Sequence, residues 1–84
     1  MSRDEIFLQV KAYMVGLFDV SQDEITLDSN LQTDLDLDSI DAVDLIVKVQ
    51  EFIGQKIKPD EFKTVRTVGD VVDRIYDLTN AEAN

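Results

Sequence analysis

The sequence predicts an all-α fold: a small four-helix bundle with a long loop between helices 1 and 2 and a short third helix. Three observations carry this expectation. Apolar residues recur at three- and four-residue spacing in three separate segments. Ser, Asp and Thr stand where those segments begin, and Gly54 stands where the central one ends. No segment alternates apolar and polar residues for long enough to make a strand.

Taken in order, Ile6, Phe7, Val10, Tyr13, Met14 and Leu17 give one apolar face to a first helix from Arg3 to Phe18. Ser2 is placed to cap it, with Glu5 three positions on as a capping-box partner. Gly16 weakens its last turn, and Asp19 lies beyond it. From Val20 to Asp38 the pattern is irregular, and Ile25, Leu27, Leu31, Leu35 and Leu37 pin this loop to the core. A loop of this length in a small domain signals function. A second helix runs from Ser39 to Ile53 and stops at Gly54. Ile57 belongs to a connector, and Pro59-Asp60-Glu61-Phe62 reads as a short helical turn. Thr67 caps a last helix through Leu78, packed by Val68, Val71, Val72, Ile75 and Tyr76, and the tail from Ala81 to Asn84 frays.

With 84 residues the chain is expected to form one domain, 1–84, near the lower size limit for an independent core. Its hydrophobic content of 44% is too high for a disordered acidic tail. The charge is one-sided: 18 acids against 8 bases, net −10. No base lies between Lys11 and Lys48, whereas that stretch holds Asp19, Asp23, Glu24, Asp28, Asp34, Asp36, Asp38, Asp41 and Asp44. Such a field disfavours nucleic acid and anionic membranes and favours proteins with basic patches. With neither Cys nor His, disulfides, thiolate zinc sites, Cys-His pairs and Ser-His-Asp triads are all excluded. No catalytic or metal-ligating residue is assigned, and the chain reads as a non-enzyme. The N-terminus has no signal-like apolar core and no apolar run is long enough to span a membrane. A cytoplasmic monomer without membrane insertion is the expectation.

The densest information lies where the acidic loop meets the second helix, at Asp38-Ser39-Ile40 followed by Asp41, Val43, Asp44 and Leu45. At about 100° per residue, Asp41, Asp44, Lys48 and Glu51 share a band roughly 80° wide. Nearly everything else on that helix is apolar, more than the roughly 100° stripe that packing against one layer needs. Either the helix is central and wrapped on most sides, or part of its apolar surface stays open. Leu45, Val49 and Phe52 go to the core; Ile40, Val43 and Val47, on the other flank of the acidic band, go at least in part to a partner surface.

Ser39 has an ordinary explanation as a helix cap, shared with Asp38. It also stands at a helix N-terminus, whose N–H groups suit a phosphate. The neighbouring carboxylates oppose a phosphate, and docking of basic partners is their natural use. A calcium loop is the other reading of Asp34, Asp36 and Asp38, which fall at ligand positions 1, 3 and 5 of an EF-hand. It fails at position 6, Ser39 where Gly is needed, and at position 12, Leu45 where Glu is needed.

Over essentially its full length the chain resembles the acyl carrier protein family, and Asp38-Ser39-Ile40 is similar to that family's Asp-Ser-Leu. The resemblance implies a 4′-phosphopantetheine cofactor attached to Ser39 from coenzyme A by a phosphopantetheinyl transferase. It implies acyl thioesters on the arm's thiol, presented to fatty-acid, lipid or polyketide-type enzymes such as ketosynthases and acyltransferases. Asp38, Asp41, Asp44 and Glu51 would be acidic recognition positions, with Ile40, Val43 and Val47 as apolar companions. Housekeeping carriers usually have Gly and a small residue where this chain has Asp36 and Leu37. Lys48, Gln50 and Phe52 interrupt the acidic helix, and Lys56, Lys58, Lys63 and Arg66 make the next segment basic. These departures suggest a specialised carrier. An aminoacyl or peptidyl carrier, and an acidic interaction domain without a prosthetic group, are the alternatives.

Overall fold

A computed structural model describes residues 2–62 and 64–81. Three α-helices are present: α1 (Arg3–Phe18), α2 (Ser39–Ile53) and α3 (Val68–Ala81). Two 3-10 turns, Gln22–Glu24 and Pro59–Phe62, punctuate the connections. The expected four-helix count is therefore corrected to three. The short third element forms at Pro59–Phe62, but as a 3-10 turn, the form that so short a helical piece ordinarily takes. Among the described residues there is no strand, only an isolated antiparallel bridge between Asn30 and Thr67. No helix among them is long and apolar enough to cross a membrane.

The helix limits follow from local chemistry. Ser2 Oγ accepts the Glu5 N–H at 3.2 Å and starts α1, and Asp19 closes it in the left-handed conformation. Asp38 caps α2, and Gly54, at φ +70, ends it with its N–H on the Gln50 carbonyl. α3 begins after a reciprocal pair in which Thr67 Oγ1 accepts the Asp70 N–H and Asp70 Oδ2 accepts the Thr67 N–H. It continues to Ala81, three residues beyond the expected end. Thr79 Oγ1 donates to the carbonyls of Ile75 and Tyr76, and Asn80 Nδ2 donates to that of Tyr76, so polar side chains serve the last turn. The rest of the expected frayed tail, residues 82–84, lies outside the described residues.

The core is built from all three helices and the loops. Ile6, Val10 and Met14 of α1 meet Leu45, Ile46 and Val49 of α2 and Val68, Val71, Val72 and Ile75 of α3. Fully burying such side chains stabilises the fold by about 1.5–3 kcal/mol each. Ile25, Leu35, Leu37 and Ile57 complete the core from the connections, as expected for a pinned loop. Leu17 and Leu27 depart from expectation: both are exposed, Leu17 in the last turn of α1 and Leu27 at the loop surface. Tyr13 and Phe52 pack edge to face, with centroids 6.2 Å apart.

The long loop is also stapled to the start of α3. Leu31 N–H donates to the Arg66 carbonyl, Val68 N–H to Ser29 and Gly69 N–H to Leu27. A Cβ at residue 69 would stand 2.9 Å from the Leu27 oxygen, which is why Gly is there. Ser29, buried, donates its hydroxyl to the Glu24 carbonyl and accepts the Thr26 N–H. α1 packs against both α2 and α3, while α2 and α3 hardly touch each other. That separation leaves the space in which the site lies.

Candidate functional site

Asp38 and Ser39 divide the work at the entry to α2. Asp38 Oδ1 accepts the Ile40 and Asp41 N–H groups at 2.9 and 3.0 Å, and Asp41 Oδ2 returns the favour by accepting the Asp38 N–H at 3.2 Å. This capping box secures the helix start without Ser39. The Ser39 hydroxyl is exposed and makes no hydrogen bond among the described residues. The capping explanation thus holds for Asp38 and not for Ser39. The same geometry overturns one expectation: the helix-end N–H groups of Ile40 and Asp41 are committed to Asp38 and are not left for a phosphate.

Ser39 stands on the edge of a cavity of about 250 Å³ between α2 and the segment leading into α3. Its apolar walls include Leu37, Leu45, Ile46, Val49, Phe62 and Val65. The exposed members of the lining, Gln32, Asp38, Ser39 and Arg66, form its rim.

The flank of α2 beside Ser39 is open. Ile40 is 71% exposed, Val43 50% and Val47 45%, whereas Leu45 and Val49 are buried and Phe52 is half-buried. The partition expected from the helical wheel is the observed one. Leaving three apolar side chains in water forgoes roughly 1 kcal/mol or more apiece, so packing does not explain them. Asp44 and Glu51 are exposed along the same stretch, and Lys48 Nζ lies 3.8 Å from Glu51 Oε2. Asp41 is half-buried and engaged in the cap, so it is a structural residue as well as a candidate for recognition.

The loop carboxylates do not converge on a common centre. Asp34 Oδ2 accepts the Asn30 N–H at 2.7 Å, and Asp38 is occupied as described. Among the described residues no group of three or more acids is arranged to hold a metal ion. Two residues that the sequence pattern gave no role at the site matter here. Gln50 Oε1 accepts the Ile57 N–H at 2.7 Å and ties the connector to α2, and Arg66 joins the cavity rim. Only the change from an acidic to a basic segment hinted at Arg66.

A free serine hydroxyl at a helix entry, over an apolar cavity and beside an apolar-acidic helix flank, defines a small carrier domain for a prosthetic group. The family described as a phosphopantetheine attachment site matches residues 9–75. Acyl carrier protein 2 of Ralstonia nicotianae is 44% identical over 81 residues, covering 96% of this chain and all of the relative. The acyl carrier protein of Lactobacillus acidophilus is 41% identical over 75 residues, covering 89% of this chain and 94% of the relative. Among solved structures, the acyl carrier protein from Enterococcus faecalis superposes with a TM-score of 0.72 at 29% identity, covering 89% of this chain and 95% of the other. The chain belongs to the acyl carrier protein family. Its prosthetic group is 4′-phosphopantetheine. The residues present fit that group, since an accessible hydroxyl and an apolar recess adjoin each other.

Proposed function

We propose that this protein carries acyl intermediates as thioesters on a 4′-phosphopantetheine arm attached to Ser39, and presents them to enzymes of fatty-acid, lipid or polyketide-type synthesis. It works without catalysis of its own, as a cytoplasmic monomer of one domain. The observation that carries the reading is the Ser39 hydroxyl, unused by the fold and placed on the cavity rim. When bound, the group supplies the thiol on which acyl chains ride. The chain's own residues do the rest. Asp38 holds the helix start so that Ser39 stays accessible to a phosphopantetheinyl transferase. Leu45, Ile46, Val49 and Phe62 offer apolar walls that keep water from a hydrocarbon tail. Ile40, Val43 and Val47, framed by Asp38, Asp41, Asp44 and Glu51, form the surface for a transferase, ketosynthase or acyltransferase with a basic patch around an apolar spot. Asp36, Leu37 and the basic segment from Lys56 to Arg66 support a specialised pathway over the housekeeping one.

The test is an intact mass spectrum after incubation with coenzyme A, magnesium and a broad-specificity transferase. The parent should gain one phosphopantetheine and Ser39→Ala none; no gain in the parent, or a gain in both, overturns the assignment. Asp44→Lys should slow loading about tenfold with an unchanged helical spectrum, and unaltered kinetics would return the acidic stripe to a merely solvated face.

A further inference from the structure

Arg66 is an unusual residue to find lining the same cavity as Ser39. In a chain of net charge −10 it stands on the rim of the cavity that Ser39 also lines. Its backbone is held on both sides: its N–H donates to Asp70 Oδ2 at 3.0 Å, and its carbonyl accepts the Leu31 N–H at 2.9 Å. Its side chain is exposed, and among the described residues its guanidinium forms no ion pair, whereas Arg3 is bound to Asp73 and Lys48 to Glu51. An anchored backbone thus carries an exposed cation, whose charge also reaches the Asp70 carboxylate, on the rim of the recess.

The α2 entry supplies the second half of the argument. A phosphate at a helix N-terminus is ordinarily received by the first free N–H groups. Here those of Ile40 and Asp41 are already donated to Asp38 Oδ1. A phosphodiester on Ser39 would stand next to Asp38 and Asp41 with those two donors spent, so a cation nearby would favour it. Among the described residues that line the cavity, Arg66 carries the positive charge. Its guanidinium is planar and presents paired N–H donors that match two non-bridging phosphate oxygens, which an ammonium does not.

We propose that Arg66 is a positioning residue for the prosthetic arm, countering the charge of its phosphodiester and holding the root of the arm against the cavity mouth. This rests on Ser39 being the tether. It makes Arg66, at the end of the basic segment after α2, part of the carrier site.

The experiment compares apo and holo forms of the parent, Arg66→Gln and Arg66→Lys, with intact mass confirming loading. Three readouts are taken: the melting temperature, the ³¹P resonance of the arm, and the Nε–H resonance of Arg66. Apo forms should melt within a few degrees of one another, as expected for an exposed side chain. Loading should raise the melting temperature of the parent by roughly 2–4 °C more than that of Arg66→Gln, with Arg66→Lys between them. Loading should also move the Arg66 Nε–H signal, and Arg66→Gln should shift the ³¹P signal towards that of free phosphopantetheine. Equal loading effects and one ³¹P shift across all three proteins would overturn the proposal while leaving Ser39 as the tether. Absence of mass gain in the parent would overturn both readings together.

Discussion

Asp36 occupies a left-handed backbone position, φ +55, two residues before the Asp38 cap. Housekeeping carriers usually have Gly there, and the backbone shows why: the chain must turn sharply to bring buried Leu35 and Leu37 to the core on either side. Asp tolerates this conformation better than most residues with a Cβ, and far better than a β-branched one. Asp36→Gly should raise the unfolding free energy by about 0.5 kcal/mol, the relief of strain being offset in part by the greater freedom of Gly in the unfolded chain. Asp36→Val should lower it by about 1–2 kcal/mol. Urea titration of the three proteins checks the order, and a Val variant as stable as the parent would contradict the strain argument. Ser39 and Asp38 show the same economy of one residue, one task. Because Asp38 caps, Ser39 is spared, and only atomic geometry separates two residues that are equally good caps by type.

Each helix has a second face that packing does not use, and at this scale the electrostatics of the helix starts become testable. Asp70 closes the α3 box by accepting the Arg66 and Thr67 N–H groups, and these bonds hold its carboxyl below the ordinary carboxylate range. A carboxyl lowered in the folded state adds stability that is present above its unfolded value and lost as pH falls through the folded one. The stability difference between the parent and Asp70→Asn should therefore be largest near neutral pH and shrink below about pH 4. Comparing the two proteins cancels the general effect of protonating the other acids. A difference constant from pH 7 to pH 2 would sink the idea. In α2, Leu45, Ile46 and Val49 point inward while Ile40, Val43 and Val47 face water, so one helix both holds the core and keeps an apolar flank exposed, the surface proposed for docking.

For the whole molecule, the excess of acids is the dominant unsatisfied term. Between residues 34 and 44 five carboxylates follow closely, and only three of them, Asp34, Asp38 and Asp41, accept a backbone N–H. Like charges within a screening length destabilise the compact state of so small a domain. Millimolar magnesium or about 0.1–0.5 M sodium chloride should raise the melting temperature of the apo protein by several degrees. A melting temperature indifferent to both would mean that the repulsion is already relieved by conformation. Under the proposed function the repulsion has a use, since an acidic surface around an apolar flank would speed encounter with basic partners and screen out others.

Features whose causes are local could be read from the chain alone. The limits of α2, from the residue after Asp38 to the residue before Gly54, were legible because capping and left-handed termination act within a turn of the chain. The division of α2 into inward and outward apolar residues was legible because it exceeds what one packed face requires. Asp38-Ser39-Ile40 marked the candidate site for the same reason, as a local pattern in a local context. The pairings across the chain emerged only on folding. The hydrogen bonds from Leu31, Val68 and Gly69 join residues more than thirty positions apart and anchor the loop to α3. The extent of α3, the 3-10 form of Pro59–Phe62 and the exposure of Leu17 and Leu27 depended on side chains and neighbours that periodicity does not register. The cavity and the presence of both Ser39 and Arg66 on its rim belong to the same class. Both exist because α1 packs against α2 and α3 without bringing those two together, a consequence of three-dimensional packing that no segment of the chain carries alone.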